Sequence, residues 1–137
     1  MIRTHEDALN YLKTREKFGI KFGLSNIANL TKQLGHPEFQ FPSILIAGTN
    51  GKGSTAALLA SILSAAGYRT GRYTSPHIRD VSERINIDNN PISDRDLVTA
   101  VANVHDATTT LEEPTFFEAI TAAAFYHFAK KKVDIAV

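Results

Sequence analysis

The sequence contains no cysteine, so it carries neither a disulfide framework nor a thiolate metal site. An excess of either charge is also missing. Its 15 Lys and Arg stand against 14 Asp and Glu, a formal net charge of +1. That balance argues against a nucleic-acid surface dominated by charge. No apolar run reaches the length that spans a bilayer. The opening residues Met1 to Glu6 lack the apolar core of a signal peptide. Internal repeats and low-complexity tracts are absent, and His5, His36, His105 and His127 show no paired metal spacing. The expectation is a soluble cytoplasmic protein, monomeric, with no nucleic-acid or membrane partner.

What is present fits one domain with a real core: 137 residues, 43% hydrophobic and 21% charged. Thr4 to Glu16 reads as a helix with Thr4 as N-cap and Asp7 in the first turn. Phe18 to Leu24 is a loop punctuated by two glycines, and Ser25 is placed to cap a second helix ending near Gly35-His36-Pro37. Ser43 to Ala47 reads as a strand, Ser54 to Ala66 as a helix stopped by Gly67, and Arg69 to Thr74 as a second strand. Glu83 to Ile92 reads as a short hairpin around Asp88-Asn89-Asn90. Ser93 caps a helix to about Ala107, Thr115 to Lys131 forms an apolar helix, and Val133 to Val137 a third strand. Alternation of helix and strand predicts an α/β fold with a mainly parallel sheet. The helix from Ser54 is apolar on most sides, so it must cover the sheet and meet something else.

The most informative stretch is Ile44-Leu45-Ile46-Ala47-Gly48-Thr49-Asn50-Gly51-Lys52-Gly53-Ser54-Thr55. An apolar run feeds a glycine-rich turn with one lysine, and a helix follows at once. Glycines let the backbone curl so that N–H groups point inward. A helix start adds the positive end of its dipole, and Lys52 a mobile charge. Such a turn binds nucleotide phosphates as a P-loop does. The strict pattern G-x-x-x-x-G-K-[S/T] is broken twice, by Ile46 and by Gly53, so the first hydroxyls come at Ser54 and Thr55. The bland alternative is a tight strand-to-helix turn with an incidental lysine.

A second constellation, Tyr73-Thr74-Ser75-Pro76-His77, follows the second strand, with Glu83-Arg84-Ile85 at the base of the hairpin. Ser75 offers a hydroxyl at the edge where α/β sheets bind ligands. It reads equally as a site or as a hydroxyl-rich turn, and His77 alone reads as a surface histidine. Thr115-Phe116-Phe117-Glu118 opens the last helix. There the residues favour a structural role: a cap, an acidic side chain complementing the dipole, and two core aromatics. The apolar Val133 to Val137 strand is of the kind buried in parallel sheets, which leads us to expect an N-terminal piece of a longer protein.

Together, Ala47 to Thr55, Tyr73 to His77, Glu83 to Ile85 and Thr115 to Glu118 resemble the folylpolyglutamate synthases, some of which are also dihydrofolate synthases, within the Mur ligase superfamily. Glycine rather than a hydroxyl residue after the lysine separates that family from the peptidoglycan ligases. The resemblance implies a truncated ATP-binding domain over residues 1–137, with the glutamate-binding domain lying elsewhere. It implies an ATP- and Mg2+-dependent ligase that phosphorylates the carboxylate of folate or dihydropteroate and joins it to L-glutamate. Gly48, Thr49, Asn50, Gly51, Lys52, Gly53, Ser54 and Thr55 would hold ATP, with Lys52 catalytic. Ser75 would ligate magnesium. Thr115, Phe116, Phe117 and Glu118 would contact the pterin-bearing substrate, as would Ile20, Lys21 and Phe22, where Lys21 replaces an acidic residue of many relatives. His77 and Arg84 are further candidates. The remaining magnesium ligands, a glutamate in a glycine-rich segment and a histidine, come later in the family's sequence, so residues 1–137 alone are expected to be inactive. The alternatives are a peptidoglycan-precursor Mur ligase and a non-catalytic nucleotide-binding module.

Overall fold

The structure, a computed structural model, describes residues 1–19, 22–108 and 112–137. Ile20 and Lys21, two of the expected substrate contacts, lie outside the described residues. The described helices are α1 (His5–Arg15), α2 (Ser25–Gln33), α3 (Lys52–Ala65), α4 (Asp94–Ala107) and α5 (Phe116–Lys131). The strands are β1 (Thr70–Tyr73), β2 (Ile85–Ile87), β3 (Asn90–Pro91) and β4 (Ile135–Ala136). The chain divides into two compact units, Met1–Glu38 with Asp94–His127, and Phe39–Ser93 with Phe128–Val137.

The first unit is helical. The Thr4 hydroxyl accepts from the Asp7 N–H at 3.1 Å, and the Asp7 carboxylate accepts from the Thr4 N–H at 2.9 Å. This capping box starts α1 where the sequence places it. α1 packs against α4, whose Leu97, Ala100, Val101 and Val104 are buried at helical spacing. Each such Leu or Val contributes about 1.5–3 kcal/mol. α2 begins at Ser25 with Leu24 as N-cap, so Ser25 does not cap it. Ser25 is already helical, and its hydroxyl is not where a capping oxygen must be.

The second unit carries the sheet, whose order is β3-β2-β1-β4. β1 pairs in parallel with β4 but antiparallel with β2, and β2 is antiparallel to β3. The sheet is therefore mixed, not mainly parallel. Parallel neighbours need a long crossover, usually a helix. No helix longer than the short 3-10 turn Val81–Arg84 separates β1 from β2, so the hairpin returns antiparallel along β1. Its turn is Asp88-Asn89, with φ of 50° and 63°. Two successive left-handed residues make the tight turn that matches strand twist, and Asp and Asn tolerate that region. The Asp88 carboxylate accepts from the Thr70 N–H at 2.9 Å and the Ser64 hydroxyl at 3.1 Å, tying the turn to β1 and α3.

The expected strand at Ser43 to Ala47 is reduced to a single parallel bridge, Ser43 to Ala136. The Ile44 N–H reaches the Ala136 carbonyl and the Ala136 N–H the Pro42 carbonyl, at 2.8 and 2.9 Å. β4 has only two residues to pair with, so no longer ladder forms here, and Leu45 is exposed. α3 lies against β1 and buries Ala56 and Ala60, while Leu58 and Ile62 are exposed. The second contact expected for this helix is not seen at Leu58 and Ile62, whose apolar side chains face solvent. Among the described residues, no helix is long and apolar enough to cross a membrane.

Candidate functional site

The Ser43 segment and β1 flank β4, and both run parallel to it. The glycine loop after Ala47 and the turn after Tyr73 therefore leave the same edge of the sheet, the carboxyl edge where α/β folds place ligands. Gly48 has φ 149° and Gly51 φ 75°, which side-chain-bearing residues rarely adopt. Gly51 is the N-cap of α3, with no side chain capping the helix. Consequently α3 starts at Lys52, two residues before the predicted start, and the first-turn N–H groups of Lys52, Gly53 and Ser54 open toward the loop. The Thr55 N–H returns to the Gly51 carbonyl at 2.9 Å, and the Thr55 hydroxyl donates to the same oxygen at 2.9 Å.

Lys52 folds back over this loop. Its Nζ donates to the Gly48 carbonyl at 2.6 Å and the Thr49 carbonyl at 3.1 Å. Both acceptors are uncharged, so they hold the ammonium without neutralising it. Residues 48–55 are all exposed. The result is an open, positive loop at a helix start, the arrangement that favours anions.

At the same edge, Ser75 is exposed and joins Pro76 through a cis peptide bond. The turn is held by residues 83 and 84. The Arg84 carbonyl accepts from the Thr74 N–H at 3.0 Å, and Arg84 Nε donates to His77 Nδ1 at 2.8 Å. The Glu83 carboxylate accepts from the N–H groups of Ile78, Arg79 and Asp80 at 2.9, 3.0 and 3.0 Å. The Ile78 N–H first, then those of Asp80 and Arg79, hold the Glu83 carboxyl below the usual range against an opposing desolvation. Sequence reasoning missed this clamp. The spacing Asp80-x-x-Glu83 is a capping-box signature and could have shown it.

In the first unit, Thr115 and Glu118 form another capping box. The Thr115 hydroxyl accepts from the Glu118 N–H at 3.1 Å, and Glu118 Oε2 accepts from the Thr115 N–H at 2.8 Å. Asn26 Nδ2 also donates to Glu118 Oε2 at 2.8 Å, a link from α2 that the sequence did not reveal. Thr115 and Glu118 are buried, which fits the expected cap, but neither Phe116 nor Phe117 is the core aromatic expected, because Phe116 is only partly buried and Phe117 is exposed. Phe117 is half-exposed and Phe22 almost fully exposed. The glycine loop, Ser75, His77 and Arg84 thus belong to one unit, and Phe22 and Thr115 to Glu118 to the other.

No protein-family profile matches the chain. Individual proteins do. A Bacillus subtilis protein named dihydrofolate synthase/folylpolyglutamate synthase is 41% identical over 143 residues, which takes in 100% of this chain and 33% of the relative. The folylpolyglutamate synthetase structure from Lactobacillus casei superposes with a TM-score of 0.92 at 38% identity, covering 98% of this chain and 35% of that one. By sequence and fold, the chain is a homologue of the folylpolyglutamate/dihydrofolate synthases. It spans about a third of the length of the relatives it matches. A further member of this family was solved as a complex with AMPPCP and folate, and matches with a TM-score of 0.87 at 36% identity over 98% of this chain and 34% of that one.

Proposed function

We propose that the chain is part of the ATP-binding domain of a ligase that joins a folate or dihydropteroate carboxylate to L-glutamate. The observation that carries this reading is the exposed glycine loop, with Gly51 left-handed at the start of α3 and Lys52 bonded to the loop carbonyls of Gly48 and Thr49. The AMPPCP–folate complex of one relative supports an ATP and a folate site. The relatives' names favour folate over peptidoglycan precursors.

In this reading the loop acts as a P-loop. The N–H groups of Lys52, Gly53 and Ser54 receive phosphate oxygens, and Lys52 exchanges its carbonyls for the terminal phosphates. A carboxylate oxygen of the folate attacks the γ-phosphorus, and ADP leaves. The glutamate amine then attacks the acyl carbon, and phosphate leaves with one former carboxylate oxygen. Charge develops on the transferred phosphoryl group, so fixed donors beside it lower the barrier. Magnesium, when bound, would supply positive charge that offsets the charge developing on the phosphoryl group. Ser75 fits it as a hard oxygen donor at the same sheet edge. Among the described residues there is no cluster of three metal-binding side chains. Mg2+ accepts such a sparse site because it keeps several waters and takes phosphate oxygens.

The full-length protein should be given ATP, L-glutamate and a folate whose reacting carboxylate carries oxygen-18. The acyl-phosphate route predicts one labelled oxygen in the inorganic phosphate released. Label-free phosphate alongside amide product would rule that route out.

A further inference from the structure

The turn that carries Ser75 is shaped by two adjacent residues that nothing in its own sequence Thr74-Ser75-Pro76-His77 supplies. Glu83 gathers three consecutive N–H groups, those of Ile78, Arg79 and Asp80, on one carboxylate. Three charge-assisted bonds from consecutive N–H groups to one carboxylate fix a short stretch of chain in one conformation. Arg84 grips the other side of the turn twice. Its carbonyl takes the Thr74 N–H, and its guanidinium, which is buried with the rest of the residue, donates through Nε to His77 Nδ1. The Arg84 guanidinium offers only donors, so His77 Nδ1 is the acceptor and the ring hydrogen sits on Nε2. Every bond on this list bypasses Ser75 itself, whose hydroxyl is exposed at the sheet edge.

We propose that Glu83 and Arg84 are positioning residues that hold the Thr74 to Asp80 turn in the conformation that presents the Ser75 hydroxyl to a magnesium–nucleotide complex, with Arg84 also fixing the tautomer of His77. This rests on the reading of Ser75 given above. Neither residue needs to touch the nucleotide to act in this way. Their effect is entropic: a turn already in its bound conformation loses less freedom when the ligand arrives.

Two variants test it in the full-length protein. Glu83→Gln retains size but offers a weaker, uncharged acceptor to three N–H groups. Arg84→Lys retains charge and the backbone carbonyl but removes the Nε donor. Calorimetric titrations of ATP at a series of Mg2+ concentrations should show the Mg2+ midpoint raised severalfold in both, with ATP affinity in the absence of Mg2+ unchanged. Ring-nitrogen NMR should show His77 as the Nε2–H tautomer in the wild type and a changed His77 signal in Arg84→Lys. A shifted Mg2+ midpoint in Ser75→Ala with wild-type midpoints in both clamp variants overturns this proposal alone. An unshifted midpoint in Ser75→Ala overturns the reading of Ser75 and this proposal with it. If Glu83→Gln does not fold, Arg84→Lys decides through its midpoint and the His77 signal together.

Discussion

Lys52→Ala tests the loop most sharply, and its effect can be sized from the geometry. An ammonium has three donors, and in this structure Lys52 places two of them on the Gly48 and Thr49 carbonyls. Binding ATP exchanges neutral acceptors for phosphate oxygens, a charge-assisted contact worth about 1.5–3 kcal/mol. The dissociation constant for ATP should therefore rise about tenfold to a hundredfold. Stability should hardly change. Lys52 is exposed, and exposed substitutions of this kind usually fall within about 0.5 kcal/mol. Calorimetry in the full-length protein separates the two effects when paired with an unfolding curve. Added salt should weaken the wild type more than the variant and so narrow the gap between them. A folded variant with wild-type ATP affinity would remove Lys52 from the site and leave the loop as a plain turn.

Other outcomes follow from the packing and the caps. A Cβ built on Gly71 would stand 3.1 Å from the ring of buried Phe128, so Gly71→Ala should destabilise by about 1–3 kcal/mol in urea unfolding; an unchanged midpoint would show the ring has room to move. Thr115→Ala removes the N-cap oxygen of α5 and should cost about 0.5–2 kcal/mol, while a cost near zero would mean water caps the helix equally well. The Asp7 carboxyl is held below its ordinary value by the Arg3 N–H first and the Thr4 N–H next. Its contribution is therefore present above the ordinary carboxylate range and lost as pH falls through the lowered value. Asp7→Asn should be less stable than the wild type at neutral pH, with the difference closing in acid; a difference that stays constant with pH would contradict this.

Local rules account for much of what the sequence revealed. Thr4 and Asp7 carry a complete capping box within four residues, and Asp88-Asn89 sets a turn by its own backbone preference. The start of α3 was legible only approximately: the helix was expected from Ser54, and the left-handed Gly51 cap begins it at Lys52. Strand direction was less legible. It depends on how the chain from Thr74 to Arg84 returns, and hydrophobic pattern carries no sign of direction. The Ser43 to Ala47 run looks like a strand by composition, yet pairing needs a neighbour, and β4 offers two residues. Contacts between distant residues, such as Asn26 with Glu118, leave no local trace. In Asp80-x-x-Glu83 a trace existed, but its meaning lay in which turn it would clamp.

The central claim is that this chain belongs to an ATP-dependent folate–glutamate ligase. Its most direct test is to incubate the full-length protein with ATP, Mg2+, L-glutamate and either dihydropteroate or a reduced folate, then follow product mass and ADP together. The account predicts a product heavier by one glutamyl residue, formed with one ADP per amide bond and absent when any one component is left out. ATP binding with no glutamylated product under any of these combinations would contradict it.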